Sequence, residues 1–181
     1  MRLVKTLPFL LGLGAALGSA SAWSLPTDRD QRIHIQSDDA QLDDKKGVAT
    51  YKGNVIITQG SMKITGNTVT ITRNAQGEVD IFTSVGNLAY YEQKPSVDKP
   101  IVQAYAITIQ YYAAQDRIVL IDKAKVINDG NTSEGEKIVY DTVKQIVSAG
   151  RANGGSKVTT PRPRIDMVIQ PKKKTDQQKA Q

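Results

Sequence analysis

The chain contains no cysteine and only one histidine, His34, in 181 residues. Without thiols there is no disulfide scaffold, no lipid-bearing cysteine and no thiolate metal site, and one imidazole cannot complete a zinc centre of the usual ligand types. Aromatic residues are scarce at 6%, so an interior must be filled mainly by aliphatic side chains and is thin. No segment sustains a helical period, so there is no helix for a phosphate-cradling Gly-rich loop to open. His34 falls on the polar side of an alternating strand, a surface position. The acidic residues Asp38, Asp39, Asp43 and Asp44 lack the ligand spacing of a calcium loop and read as a solvated turn. Nothing in the sequence assembles a catalytic group or calls for a cofactor.

Long hydrophobic runs are also missing. The longest apolar stretch, 7–17, falls short of the roughly 20 residues a membrane span needs, and Pro8, Gly12 and Gly14 interrupt it. Arg2 and Lys5 precede it and Ser19-Ala20-Ser21-Ala22 follow, which is the pattern of a secretory signal peptide over 1–22, cleaved after Ala22. About 159 residues then remain, enough for one domain with one continuous core. The formal charge of +6 drops to about +4 without Arg2 and Lys5. Much of that excess lies in Lys172-Lys173-Lys174 and Lys179. The globular part is close to balanced and has no basic face interleaved with aromatics, so nucleic acid is not an expected partner. The expected organisation is a flexible segment over 23–30, one domain over 31–170, and a disordered basic tail over 171–181.

What the chain does have is strict alternation. Ile33-His34-Ile35-Gln36, Met62-Lys63-Ile64-Thr65, Thr68-Val69-Thr70-Ile71-Thr72 and Ile107-Thr108-Ile109-Gln110-Tyr111 place apolar and polar side chains on opposite faces, as half-buried strands do. Turn clusters separate them: Asp43-Asp44-Lys45-Lys46-Gly47, Asn74-Ala75-Gln76-Gly77, Asn128-Asp129-Gly130-Asn131 and Asn153-Gly154-Gly155. Valine, isoleucine, threonine and tyrosine fill the strands and suit a pleated surface with one wet face and one dry face. The chain is all-β.

These strands recur as a unit. A small residue opens each unit, an apolar-x-apolar pair follows three residues later, and a Gly/Ala-x-apolar step comes further on. Ser37, Ala40 and Leu42 lead to Gly53-Asn54-Val55; Gly66, Val69 and Ile71 lead to Gly86-Asn87-Leu88. Ala104, Ile107 and Ile109 lead to Ala124-Lys125-Val126; Gly135, Ile138 and Tyr140 lead to Gly150-Arg151-Ala152. The openings lie 29, 38 and 31 residues apart, the longest interval holding the loop 94–100. Such a unit cannot bury its own apolar face, so neighbouring units stack and share an interior. The recurring small residues mark corners where the backbone turns or approaches another strand closely. Two antiparallel sheets facing each other at about 10 Å are expected. Towards the end, Val158-Thr159-Thr160 could extend the sheet, Pro161 and Pro163 remove ladder donors, and Ile165, Met167 and Ile169 alternate as a last edge strand.

By parity the inward set comprises Ile33, Ile35, Val55, Ile57, Ile64, Val69, Ile71, Ile107 and Ile109.

Three stretches carry a resemblance: Ile33-His34-Ile35-Gln36-Ser37-Asp38, Tyr51-Lys52-Gly53-Asn54-Val55-Ile56-Ile57-Thr58-Gln59-Gly60, and Gly135-Glu136-Lys137-Ile138-Val139-Tyr140. They resemble the organic-solvent-tolerance (OstA-like) domain of periplasmic lipopolysaccharide-transport bridge proteins, over roughly 30–160. The resemblance implies an open, twisted antiparallel β-jellyroll that binds lipopolysaccharide through lipid A. It also implies joining head to tail with itself and with partners of the same fold, an inner-membrane transport complex at one end and an outer-membrane translocon at the other. It places Ile33, Ile35 and Tyr90 near the bound lipid. Energetics agree with a shielded cargo, since an acyl chain of about twelve carbons exposed to water costs on the order of 9 kcal/mol. Two other readings remain at this point: a β-solenoid spacer or adaptor of the cell envelope with a solid interior, and a hydrolase working with the aspartates of 38–44.

Overall fold

The computed structural model describes residues 28–150 and 164–170. The expected signal peptide, the Val158 to Pro163 segment and the basic tail lie outside the described residues. Ten strands form one antiparallel sheet: β1 (Ile33–Gln36), β2 (Asp39–Asp43), β3 (Val48–Gln59), β4 (Met62–Arg73), β5 (Val79–Gln93), β6 (Val102–Tyr112), β7 (Arg117–Asn128), β8 (Asn131–Asp141), β9 (Ile146–Gly150) and β10 (Asp166–Val168). From β3 to β8 the order follows the chain as a meander. β1 and β2 both pair with β3 at one edge, and β9 and β10 both pair with β8 at the other.

The sheet folds onto itself. Tyr91 is paired with Ala104 of β6, yet its ring centroid lies 5.8 Å from that of Tyr111 on the same strand. The seven residue steps from Ala104 to Tyr111 would span about 23 Å in a straight strand, so β6 must bend between them. The pairing breaks at the same level in every long strand: between Lys52 and Val55, Thr65 and Thr68, Val85 and Ala89, Tyr105 and Thr108, and Ile121 and Ala124. Each long strand therefore gives one half to a first layer (55–59, 62–65, 89–93, 102–105, 124–128, 131–135) and the other to a second (48–52, 68–73, 79–85, 108–112, 117–121, 137–141). β1 and β10 extend the first layer, β2 and β9 the second. Two facing layers were expected as separate sheets, but a strand that bends in its middle belongs to both, and the hydrogen-bond ladder passes through the bends.

The small residues of the repeat sit at these bends. Gly53 and Asn54 both adopt left-handed backbone (φ 78° and 45°), the region that glycine and asparagine enter most readily. A Cβ at Gly53 would overlap the Asp38 carboxylate, while Asn54 Nδ2 donates to Asp38 Oδ2 at 3.2 Å. The backbone N–H of Asp38 lies 3.0 Å from the Lys52 carbonyl and 3.1 Å from that of Gly53. The Ser37-Asp38 corner between β1 and β2 is thereby seated on the Gly53-Asn54 corner of β3. At the next bend, Ser84 Oγ is fully buried and donates to the Thr65 carbonyl at 2.9 Å.

Between the layers lies a single core that includes Val55, Ile57, Ile64, Val69, Phe82 and Tyr91. A Cβ at Gly66 would overlap Ser84 Oγ and come within 3.0 Å of the Val85 carbonyl. The Gly66→Ala variant should therefore lose about 1 to 3 kcal/mol of stability, read as a lower urea midpoint with unchanged slope; an unchanged midpoint would mean that β4 and β5 are not in close contact there.

Candidate functional site

The candidate site is the space between the layers, and all but two of the predicted lining residues border it. Val55, Ile57, Ile64, Val69, Ile71 and Ile109 are buried in the core. Ile33 and Ile35 are half-buried and packed against it from β1. Beside them is a mainly apolar cleft of about 190 Å³ between Ile33 and Ile35 of the first layer and Leu42, Ala49, Tyr51 and Ile71 of the second, bordered also by Asp44 and Arg73. At this end the layers enclose space that no side chain fills. Further in, Met62, Phe82, Tyr91 and Tyr140 occupy the interior themselves.

Two placements differ from the sequence expectation, for one reason. In β5, Phe82 and Ser84 point inward before the bend and Ala89 and Tyr91 after it, so the alternation slips by one residue. Tyr91 is the interior residue and Tyr90 is not. Tyr90 stands on the outer face against Tyr105 (centroids 5.0 Å apart), donating to Glu92 Oε2 at 2.5 Å and accepting from Gln103 Nε2 at 3.0 Å. In β6, Ala104 and Ala106 point inward before the bend and Ile109 and Tyr111 after it. Ile107 falls on the slip, half-buried and outside the core cluster. Parity counted through the bend misassigns Ile107, because an inserted residue exchanges the faces; Tyr90, which the family resemblance had placed near the lipid, is left on the opposite face from Tyr91 by the same kind of slip. Tyr91, Tyr111 and Tyr140 were therefore missed as lining residues. The Tyr-Tyr doublets at 90–91 and 111–112 signal that one of each pair points inward, without saying which.

These interior tyrosines make the filled part of the space partly polar. Burial, followed by the neighbouring Tyr111 phenol, the charge on Asp28, the Tyr140 phenol and the charge on Asp116, holds Tyr91 well above the ordinary phenol value. Tyr111 is raised by burial and then by Asp116, and Tyr140 by burial and then by Asp141. Tyr90 is pushed up to about 12 by burial and its hydrogen bond to Glu92. Tyr91 Oη donates to Gln93 Oε1 at 2.5 Å, whereas the buried Tyr140 hydroxyl has no partner among the described residues.

The segment expected to be flexible up to residue 30 is bound down from Asp28 onward. Asp28–Asp30 forms a 3-10 turn, and Gln59 Nε2 donates to the carbonyls of Arg29 (3.0 Å) and Gln31 (3.1 Å). A larger recess of about 840 Å³ lies on the outer face of β7 and β8 beside Arg164 and Asp166. It is lined by Lys123, Lys125, Glu134 and Glu136 as well as Leu88 and Tyr105, and so many charged groups make it a poor host for hydrocarbon. Among the described residues, no group of three or more His, Asp or Glu is placed to hold a metal ion.

Comparison with known proteins bears on what such a space holds. Residues 34–146 match the family described as LptA/(LptD N-terminal domain) LPS transport protein. The chain is 64% identical over 174 residues to the lipopolysaccharide export system protein LptH of Pseudomonas aeruginosa, covering 96% of this chain and 99% of that one. It is 34% identical over 157 residues to the lipopolysaccharide export system protein LptA of Escherichia coli K12, covering 86% and 83% respectively. It also superposes with a TM-score of 0.73 on a crystal structure of LptH, described as the LptA-homologous periplasmic component of the lipopolysaccharide transport device of P. aeruginosa. That match has 63% identity and covers 81% of this chain and all of the other.

The buried phenols set a pH dependence. In the unfolded chain they ionise near 10.0, but the fold keeps them protonated to higher pH. The folded state thus binds more protons than the unfolded state once pH passes the unfolded value, and stability falls. The urea midpoint should drop between about pH 9 and about pH 11, less steeply in Tyr91→Phe; equal slopes in the two proteins would remove Tyr91 as a cause.

Proposed function

Since this chain belongs to the LptA/LptD N-terminal-domain family of lipopolysaccharide transport proteins, we propose that it is a periplasmic carrier that takes lipid A acyl chains between its two layers. It conveys lipopolysaccharide from the inner to the outer membrane. The chain acts as a transport protein, and burial of hydrocarbon with release further along requires no bond making and no cofactor.

The observation that carries this reading is the cleft beside Ile33 and Ile35, a mainly apolar space with walls from both layers that opens at the β1/β2 edge. Each methylene moved from water into such a space contributes about 0.8 kcal/mol, and hydrocarbon adapts to a slot without directional bonds. Ile33, Ile35, Val55, Ile57, Ile64, Val69, Ile71 and Ile109 are the proposed lipid-facing set, joined by Tyr91. Deeper entry requires the packed middle of the sandwich to part, which weak, distributed contacts between the layers permit.

Both ends of the sheet suit assembly. Among the described residues, β1 and β2 leave one edge unpaired, and β9 and β10 leave the other, with Leu42, Ile146 and Met167 exposed beside them. Unpaired ladder groups and apolar side chains at each edge invite another molecule of the same fold. Because the two edges differ, the joining is head to tail and does not close on itself. The expected partners are further copies of this chain, an inner-membrane transport complex and an outer-membrane translocon. The spacer reading has the filled middle of the interior in its favour, but a filled interior does not account for the cleft.

A photo-crosslinking residue at position 35 should capture lipopolysaccharide in intact cells, and the same residue at position 90, on the outer face, should not. Protein adducts alone at position 35 would favour the spacer.

A further inference from the structure

Both layers end in hairpin turns on the side away from the bends. The first layer's rim carries the β3–β4 turn at Gly60-Ser61 and the start of the 94–100 loop; the second layer's rim carries the β6–β7 turn, where Asp116 is left-handed (φ 47°). Asp28 and Arg29 are adjacent in the chain and reach opposite rims. The Asp28 carboxylate accepts from the Ser61 N–H at 2.7 Å, from Ser61 Oγ at 2.7 Å and from Gln93 Nε2 at 2.7 Å, all on the first layer. The Arg29 guanidinium pairs with the Asp116 carboxylate on the second.

The two attachments are unequal. On the first layer, three hydrogen bonds to a carboxylate and two from Gln59 to the strap's carbonyls anchor residues 28–31. On the second, the hold includes the Arg29–Asp116 ion pair, whose side chains are 43% and 30% exposed, a setting in which such pairs are weak and screened by salt, and a contact of Arg29 with the Tyr111 hydroxyl. Asp116 itself is fixed, its carbonyl accepting from the Thr142 N–H at 2.8 Å and from Thr142 Oγ1 at 3.0 Å. By contrast, Lys46–Asp43, Arg73–Asp44, Lys125–Glu134 and Lys144–Asp141 each join groups of a single layer.

We propose that residues 28–31 are a clasp across the open side of the jellyroll, hinged on the first layer and caught on the second by Arg29–Asp116, and that release of this catch sets how fast acyl chains pass sideways between the layers. The proposal rests on the lipid-carrier reading. Acyl chains that enter from the side must cross the rims, and the strap lies across them where Tyr91 and Tyr111 line the space just inside. A catch of low strength can be opened by the cargo itself and re-formed behind it.

The absence of cysteine makes the test direct. Spin labels on Lys94→Cys and Gln115→Cys, exposed positions on opposite rims, report the rim distance in the mature chain. Uptake from micelles of purified rough lipopolysaccharide reports passage. The chain with the clasp intact should give one narrow distance; Arg29→Ala and Asp116→Asn, the latter keeping a residue that tolerates the left-handed turn, should give longer, broader ones. Exchange of lipopolysaccharide should speed up about threefold to tenfold in both, and the charge-swapped pair Arg29→Asp with Asp116→Arg should slow it again. Folded variants with unchanged rim distance and unchanged exchange would overturn the clasp. Absence of any lipopolysaccharide uptake by the parent chain would instead sink the carrier reading, and with it the role in passage, while the rim distances still decide whether the catch exists.

Discussion

A β-strand long enough to cross this molecule twice has to bend in its middle, and the bend is the constraint on which the rest of the structure depends. At the β3 bend the backbone enters the left-handed region at Gly53 and Asn54, and at the β7 bend at Asp122 and Lys123. At β4, β5 and β6 the inward alternation slips by one residue instead. Because every strand bends at the same level, one continuous ladder becomes two layers with a shared interior. Corner residues must stay small for this to work: at Gly53 and Gly66 a side chain would occupy space already taken by Asp38 and Ser84.

Folding one sheet over itself gives a container with an unusual shape. The bends close one long side by covalent chain, while the opposite side is a pair of rims made of turns. The two ends are strand edges with no further partner among the described residues. An interior of this kind is reached from the side or from the ends, and continues into whatever sheet is added to an edge. The proposed carriage of lipopolysaccharide would make use of both features. The sugar head can stay in water while the acyl chains lie between layers, and end-to-end addition extends the dry path without any one molecule spanning it.

The packing of that interior is graded. Near β1 the half-buried Ile33 and Ile35 border unfilled space, whereas the middle is filled by Tyr91, Tyr140, Phe82 and Met62. Hydrocarbon entering at the cleft finds its wall ready-made, but going further means displacing contacts between layers that are individually weak. The buried phenols add polar groups to an otherwise aliphatic lining, and the strap at 28–31 ties the rims nearest to them. A static interior that is open at one end and closed in the middle suits a carrier that must accept cargo and also give it up.

Alternation within each half-strand made the strands legible from the sequence, along with the identity of Val55, Ile57, Ile64, Val69 and Ile71 as inward residues; the spacing of small residues revealed the repeat and its corners. Both are local properties, fixed by the two-residue period of the pleat and by the conformational freedom of glycine and asparagine. The tertiary structure alone decided which side of each bend keeps the count. It put Tyr91 inside and Tyr90 outside, left Ile107 off the core and made one folded sheet where two separate ones were expected. It also made Asp28–Asp30 a strap where a flexible segment was expected, because its partners Ser61, Gln93 and Asp116 are 33 to 87 residues away in the chain. Periodicity carries no information about an inserted residue or about contacts between distant turns, and these are set only when the layers close on each other.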